Sequence, residues 1–240
     1  MISINESVKK SLIERFQPPK VFENVIDLND LDFLLKQEEE NSQKKVVSTK
    51  RVFGLNTTAA TDYLRPLLDK ILEYPYKITG GNFFRTQVPY RLHADSGIDE
   101  QIKLYRIVVV PLQLELDGDY REEFNCLTVT NQRWFHQAAF FMKGEEEKFD
   151  VKKLEYNQPI NQYDLIYNLG DSLPRERFSS FYDHLVYENF DGINEQSVIP
   201  WRVGNIITFD RSNIHTATNF HKANVKTKIG LSIFTEYADL

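Results

Sequence analysis

The chain has 240 residues, of which 41% are hydrophobic and 27% are charged, a composition typical of a globular protein with a full apolar core. Its 29 basic and 35 acidic residues give a net charge of −6, so the overall field repels a polyanion and we expect no nucleic-acid partner. These values exclude a disordered tail, a collagen and a disulfide-stabilised miniature.

Cysteine usage and hydrophobic runs indicate the compartment. Cys126 is the sole cysteine of the sequence, so it can form no intramolecular disulfide and no thiolate zinc cage. The N-terminal residues contain no apolar run of signal-peptide length, and no window reaches the ~20 apolar residues of a membrane helix. We therefore expect a cytoplasmic protein with no membrane partner.

The first third of the chain, residues 1–75, is predicted to be a helical region that packs on the remainder and supports it. Apolar residues recur there at helical spacing. The charged run at 37–50 is poor in large apolar side chains, and we expect a solvated loop. The predicted helices span 7–16, 29–37 and 61–74.

Residues 76–240 have the pattern of an all-β core, with short apolar and β-branched runs between turn signals. The intervals between runs are too short for crossover helices, which favours an antiparallel sandwich or barrel. Segments 143–160 and 174–196 interrupt the pattern and are predicted to be insertions, the second with a short helix. The predicted strands span 77–88, 90–95, 104–116, 125–130, 137–142, 164–168, 197–201, 205–210, 214–218 and 226–234.

Two histidines and an aspartate are the candidate metal ligands. His93 and Asp95 are two residues apart in a predicted strand, so their side chains project from the same face. His215 opens a later strand, after a glycine turn and the apolar run 205–210, and can return beside His93 in a barrel. Two imidazoles and one carboxylate would occupy one face of the coordination sphere of a first-row metal and leave three coordination positions open.

The strand 226–234 alternates between two faces. Ile229 and Ile233 lie on the aliphatic face, which we expect to pack under the helices, so Lys228 points into the barrel. An inward lysine is unfavourable unless an anion meets it, and a dicarboxylate co-substrate would supply that anion.

These features together resemble the iron(II)- and 2-oxoglutarate-dependent dioxygenases, in particular the phytanoyl-CoA hydroxylase-like and prolyl hydroxylase-like branches. The resemblance rests on the His93/Asp95 pair, on the distal His215, and on a basic residue 13 positions later that precedes a Gly-x-Ser pattern. It covers residues 76–237. It implies a mainly β fold, the double-stranded β-helix (jelly-roll, cupin-like barrel), with supporting N-terminal helices.

The resemblance also implies cofactors and residue roles. His93, Asp95 and His215 would bind Fe(II), and the chain would use 2-oxoglutarate and O2, releasing succinate as it hydroxylates a small-molecule or peptide substrate. Lys228 would pair with the far carboxylate of 2-oxoglutarate, with Lys226 as the alternate. The carboxylate of Asp95 favours hydroxylation over halogenation, because related halogenases carry a small residue there.

Two further residues are candidates for binding the co-substrate. Arg91 shares its strand face with His93 and Asp95, although a surface ion pair is an equally good interpretation of this arginine. Tyr105 lies on a strand expected to flank the pocket, in a register that the sequence does not fix.

Other functions fit parts of the same pattern. A cupin-like metal-binding or scaffold protein would keep the barrel without turnover, and a structural metal site is normally closed. A zinc hydrolase could use the same ligands with Glu100 as a base, and a nucleic-acid demethylase would need only a local basic site. The substrate would be selected by segments 96–101, 143–160 and 174–196, and the oligomeric state is left open.

Overall fold

Two antiparallel sheets pack against each other in the computed structural model, which describes residues 3–48, 50–96, 103–137, 139–143 and 163–240. The strands in these ranges are β1 (Lys20–Phe22), β2 (Lys44–Ser48), β3 (Arg51–Gly54), β4 (Tyr76–Thr86), β5 (His93–Ala94), β6 (Leu104–Leu116), β7 (Cys126–Arg133), β8 (Ala139–Phe140), β9 (Glu195–Pro200), β10 (Ile206–Asp210), β11 (Asn213–Ala217) and β12 (Val225–Tyr237).

Within the described residues, the major sheet has seven strands in the order β1-β10-β6-β12-β4-β3-β2, and the minor sheet has five in the order β8-β5-β11-β7-β9. Neighbours in both sheets are antiparallel. This arrangement confirms the prediction of a mainly β jelly-roll fold.

Three helices precede the long strands, as predicted: α1 (Glu6–Glu14), α2 (Leu28–Glu39) and α3 (Thr58–Ile71). The Asn5 side chain accepts the Ser7 backbone N–H at the start of α1. Asp27 and Asp30 form a reciprocal capping box at the start of α2. A fourth helix, α4 (Arg175–Phe181), lies in the second predicted insertion.

The helices bury the outer face of the major sheet. Leu64 and Leu68 of α3 belong to the same buried cluster as Leu231 and Ile233 of β12. A separate cluster lies between the sheets and joins Ile107 of β6 to residues of the minor sheet. The predicted alternation of β12 therefore holds, with one set of side chains under the helices and the other facing between the sheets.

The N-terminal third contributes strands as well as helices to the described structure, which differs from the purely helical prediction. β1 pairs with β10 at one edge of the major sheet, and β3 pairs with β4 near the other. The prediction of a solvated loop over 37–50 was wrong, because β2 lies there and pairs with β3. Every residue of β2 is exposed, so its sequence carries no alternation that would reveal a strand. The division of the chain at residue 75 stays a prediction.

The predicted strand at 164–168 was also wrong. A short 3-10 helix, Tyr163–Leu165, lies there, followed by a single bridge between Tyr167 and Arg133. This segment packs through Tyr163 and Ile166 into a third cluster that also contains Phe190 of the second insertion. The first insertion, beyond Lys143, lies outside the described residues. In the described part of the chain, the helices are too short or too polar for a membrane span.

Candidate functional site

His93 and His215 lie directly opposite each other on β5 and β11. Both side chains are buried, and their ring centroids are 4.0 Å apart. The Nδ1 atom of His93 is 2.8 Å from the Arg91 carbonyl oxygen, and that of His215 is 3.1 Å from the Asn213 carbonyl oxygen. A carbonyl accepts only, so each Nδ1 carries the proton and each Nε2 presents its lone pair.

Asp95 follows β5 and turns its carboxylate toward the two imidazoles. Its Oδ2 is 3.4 Å from Nε2 of His215 and 3.7 Å from Nε2 of His93. The candidate ligand atoms of the three residues lie within 4.8 Å of one another. The structure thus brings together the three side chains that the sequence singled out, in a set able to hold a metal ion.

The electrostatics of the site keep the donors in the form that binds a cation. Burial, together with the neighbouring His215, lowers the pKa of His93 to about 3, so its imidazole is neutral at pH 7. Burial opposes the ionisation of Asp95, but the interactions with the neighbouring His93 and His215 prevail and lower its pKa to about 2. Neutral imidazole and ionised carboxylate are the forms that coordinate metals.

Arg211, in the turn between β10 and β11, positions Asp95. Its Nε–H donates to the Asp95 carbonyl oxygen at 3.1 Å, and its Nη1 donates to Thr79 Oγ1 at 3.1 Å. Glu236 lies 3.6 Å from the same Nη1 and balances the charge of this buried arginine. Sequence reasoning missed Arg211, because its contacts join four distant segments.

The three candidate ligands line a cavity of about 310 Å³ between the sheets. This volume is at the lower end of the range for small-molecule sites. Asp95 is the sole acidic side chain among the described residues that line it. The exposed residues Lys45 and Leu55 mark its mouth. Most of the wall is apolar, with Phe53, Phe84, Ile107, Val109, Phe209 and Phe234.

Lys228 lies inside this cavity, as its strand parity predicted, and is 3% exposed. Its ammonium is 4.7 Å from the Trp201 ring centroid and 4.8 Å from that of Phe220. No carboxylate of the described residues lies within ion-pair distance of it. Burial lowers the pKa of Lys228 to about 7. An anion bound beside Lys228 would stabilise its ammonium form, since an uncompensated buried charge is unfavourable by several kcal/mol.

Two neighbours of Lys228 add to this anion site. Burial raises the pKa of the Cys126 thiol to about 11, so this lining residue stays neutral and supplies no counter-charge. The Trp201 Nε1–H is buried without a hydrogen-bond partner in the described part of the chain. Gly230 makes the close packing possible, because a Cβ there would lie 3.0 Å from the Trp201 ring and closer still to Phe84.

The other predicted co-substrate residues are not among the described residues that line the cavity. Lys226 is exposed outside the described cavity, because the register of β12 against β6 shifts between Val225 and Thr227. Tyr105 faces the helices, where its hydroxyl accepts the backbone N–H of Glu73 at 3.0 Å. Arg91 contacts Met142 with its guanidinium, and its carbonyl oxygen contacts His93.

Arg51 of β3 lines the cavity, and sequence reasoning missed it together with the β2–β3 hairpin. Its guanidinium carbon lies 4.1 Å from the Tyr90 ring centroid. The predicted substrate loop 96–101 lies outside the described residues apart from Ser96. The hairpin therefore forms part of the described wall at the mouth of the cavity.

No protein-family sequence profile matches this chain, and a comparison with curated proteins finds no match either. Solved structures do resemble it. The epimerase SnoN, in complex with Fe3+, alpha ketoglutarate and nogalamycin RO, is 11% identical with a TM-score of 0.52, over 97% of this chain and 84% of its own. The carbocyclase SnoK from nogalamycin biosynthesis is 10% identical with a TM-score of 0.51, over 98% of this chain and 84% of its own.

Both proteins are described as alpha ketoglutarate (2-oxoglutarate)-dependent. The chain has the fold of the 2-oxoglutarate-dependent oxygenases. This agrees with the resemblance carried by the His93/Asp95 pair and His215. At this level of identity the agreement concerns the fold, and the chemistry has to be argued from the site itself.

Proposed function

We propose that this protein is an iron(II)- and 2-oxoglutarate-dependent oxygenase. The observation that carries the proposal is the meeting, in one cavity, of a two-histidine, one-carboxylate donor set with a buried lysine that has no acidic partner among the described residues. The first is the donor set of non-haem iron(II) oxygenases, and the second is suited to the far end of a dicarboxylate.

The donor set fits a catalytic metal better than a structural one. His93, Asp95 and His215 would supply three ligands to the ion, and because all three line the cavity, further ligands could reach it from the space between the sheets. A structural site is normally closed by protein ligands, which makes the cupin-like scaffold the weaker proposal. Glu100, the base nominated for a zinc hydrolase, lies outside the described residues, so that alternative stays a prediction.

The cavity also fits 2-oxoglutarate. Lys228 would pair with the far carboxylate as a point charge, and the Trp201 Nε1–H is available as a further donor beside it. The ion and the co-substrate would supply the oxidation of a substrate C–H bond, coupled to the oxidative decarboxylation of 2-oxoglutarate to succinate by O2.

The residues of this chain prepare the site for that chemistry. The carbonyl groups of Arg91 and Asn213 fix the tautomers of the two histidines, and Arg211 holds the backbone of Asp95. We propose hydroxylation as the reaction and a small molecule or a peptide as the substrate, with a small molecule favoured by the size of the cavity.

Reconstitution under anaerobic conditions tests this function. The purified chain would be loaded with Fe(II), mixed with 2-oxoglutarate and exposed to air, and succinate would be measured. We expect slow succinate formation without added substrate, and none when iron or oxygen is omitted. A folded protein that forms no succinate and does not bind 2-oxoglutarate in the presence of Fe(II) would overturn the proposal.

A further inference from the structure

A row of three side chains crosses the major sheet on its cavity side. Thr86 of β4 is the register partner of both Arg51 on β3 and Lys228 on β12. All three line the cavity. Two strand spacings therefore separate the backbones of the two basic residues, roughly 10 Å. Arg51 and Lys228 thus place two cationic positions side by side on the cavity face of one sheet.

Arg51 has no acidic partner within ion-pair distance among the described residues. Its Nε–H donates to Thr86 Oγ1 at 3.2 Å, and its Nη2 donates to the Val88 carbonyl oxygen at 3.0 Å. An arginine has five N–H donors, so those on Nη1 remain for a ligand. Burial lowers the pKa of Arg51 to about 10, which leaves it fully cationic at pH 7.

Tyr90 links Arg51 to the metal end of the cavity. The guanidinium carbon lies 4.1 Å from the Tyr90 ring centroid, and that ring contacts His93 with centroids 4.3 Å apart. The sum of these two distances is therefore the upper limit for the distance between the guanidinium carbon and the centroid of the His93 ring. A molecule held by Arg51 would lie within reach of the metal position.

Binding of the co-substrate would not neutralise every positive charge of the cavity. In the proposed function, 2-oxoglutarate uses one end at the metal and the other at Lys228. Asp95 is the sole acidic lining residue of the described cavity, and it serves as a ligand. Arg51 would then still face the cavity without a counter-charge, beside the apolar side chains of Phe53 and Phe84.

We propose that Arg51 binds a carboxylate group of the substrate, so that the enzyme acts on a carboxylic acid with an apolar body. The inference rests on the proposed function, and it adds the substrate class to it. The two remaining Nη1 donors and the planar guanidinium suit a carboxylate, and the aromatic wall suits the apolar part. The hairpin that carries Arg51 thus becomes a determinant of specificity.

Binding measurements with matched probes test this assignment. The protein would be loaded with Fe(II) and saturated with 2-oxoglutarate without oxygen, and then titrated with hydrocinnamate and octanoate and with their primary amides. Because a charge-assisted hydrogen bond is lost in the amide, we expect at least one acid to bind about tenfold or more tightly than its amide. Arg51→Gln should abolish this preference, and Arg51→Lys should retain part of it.

Two controls separate this result from a structural or co-substrate role. Arg85→Gln changes an arginine of the adjacent strand that pairs with Glu38 outside the cavity, and it should leave the preference for acids unchanged. The melting temperature of each variant reports on folding. The affinity for 2-oxoglutarate should be the same in Arg51→Gln and in the wild type.

The possible outcomes are distinct. Equal binding of acids and amides, binding of neither class, or a loss of 2-oxoglutarate affinity in Arg51→Gln with acid binding intact would overturn the inference while leaving the oxygenase proposal in place. Failure of the wild-type protein to bind 2-oxoglutarate with Fe(II) would instead overturn the proposed function.

Discussion

The two ends of the cavity differ in whether their buried polar groups have partners. At the metal end, the histidines and Asp95 face one another and are held by carbonyl groups and by Arg211. At the other end, Lys228 is faced by aromatic rings and has no counter-charge in the described structure. The first end is organised before any ligand arrives, whereas the second gains its stability from the ligand.

The largest expected effect is at the metal end. His215→Ala removes one of three ligands, and we expect at least a hundredfold loss of Fe(II) affinity, by comparison with losses of about 10–100-fold for positioning residues alone. Succinate formation should disappear with it. The exposed His221 is the matched control, and His221→Ala should bind iron as the wild type does. A His215→Ala variant with wild-type iron affinity would remove this residue from the site.

Lys228→Met tests the opposite end. We expect the KM for 2-oxoglutarate to rise by about 10–100-fold, the range expected for a lost charge-assisted interaction, while the affinity for Fe(II) stays within a few fold. When neither protein has a ligand bound, the variant should be more stable than the wild type. A buried unpaired charge is replaced by an apolar side chain of similar length.

Lys226→Met is the control for this experiment, since Lys226 is exposed on the same strand. An unchanged KM in Lys228→Met would place the anion site elsewhere. A raised KM in Lys226→Met would restore the alternate that the structure places outside the described cavity.

Arg211→Gln sharpens the account of how the metal end is held. The substitution removes the guanidinium that donates to the Asp95 carbonyl, and we expect Fe(II) affinity to fall about tenfold. A purely structural role would lower the melting temperature of the metal-free protein without changing the affinity of the folded fraction. Equilibrium dialysis with Fe(II), at a temperature where the variant is fully folded, distinguishes the two roles.

The smallest effect is a pH dependence that belongs to Lys228. Its pKa of about 7 in the folded protein is below the ordinary value of 10.5, so above pH 7 the unfolded chain binds more protons than the folded one. The free energy of unfolding therefore rises with pH in this window and falls as pH decreases through 7. Between pH 7 and 9 we expect the wild type to gain about 2 kcal/mol relative to Lys228→Met, measured by urea unfolding. If the free energies of unfolding of the two proteins changed by the same amount between pH 7 and 9, the shifted pKa would be contradicted.

The comparison also shows what the sequence can and cannot predict. His93, Asp95 and Lys228 were found because strand alternation fixes the face on which each side chain lies. His215 was found because a glycine turn and an apolar strand precede it. The fold followed from the same strand pattern, and the boundaries of β6 agreed with the prediction.

What was missed depends on tertiary contacts. Arg51 lies on a hairpin whose outer strand, β2, is wholly exposed and thus has no apolar pattern. Arg211 has a role only because its turn lies near Asp95 and Glu236. The face of Tyr105, which packs under the helices, was left open because it depends on a register that a single sequence does not fix.

Absorption spectroscopy without oxygen tests the central claim, that one cavity holds both the iron site and the co-substrate site. The protein would be loaded with one equivalent of Fe(II) and titrated with 2-oxoglutarate. The account predicts a weak visible band that saturates in the wild type, is absent in His215→Ala, and requires a higher concentration of 2-oxoglutarate in Lys228→Met. A folded wild-type protein that binds Fe(II) and develops no band would contradict it.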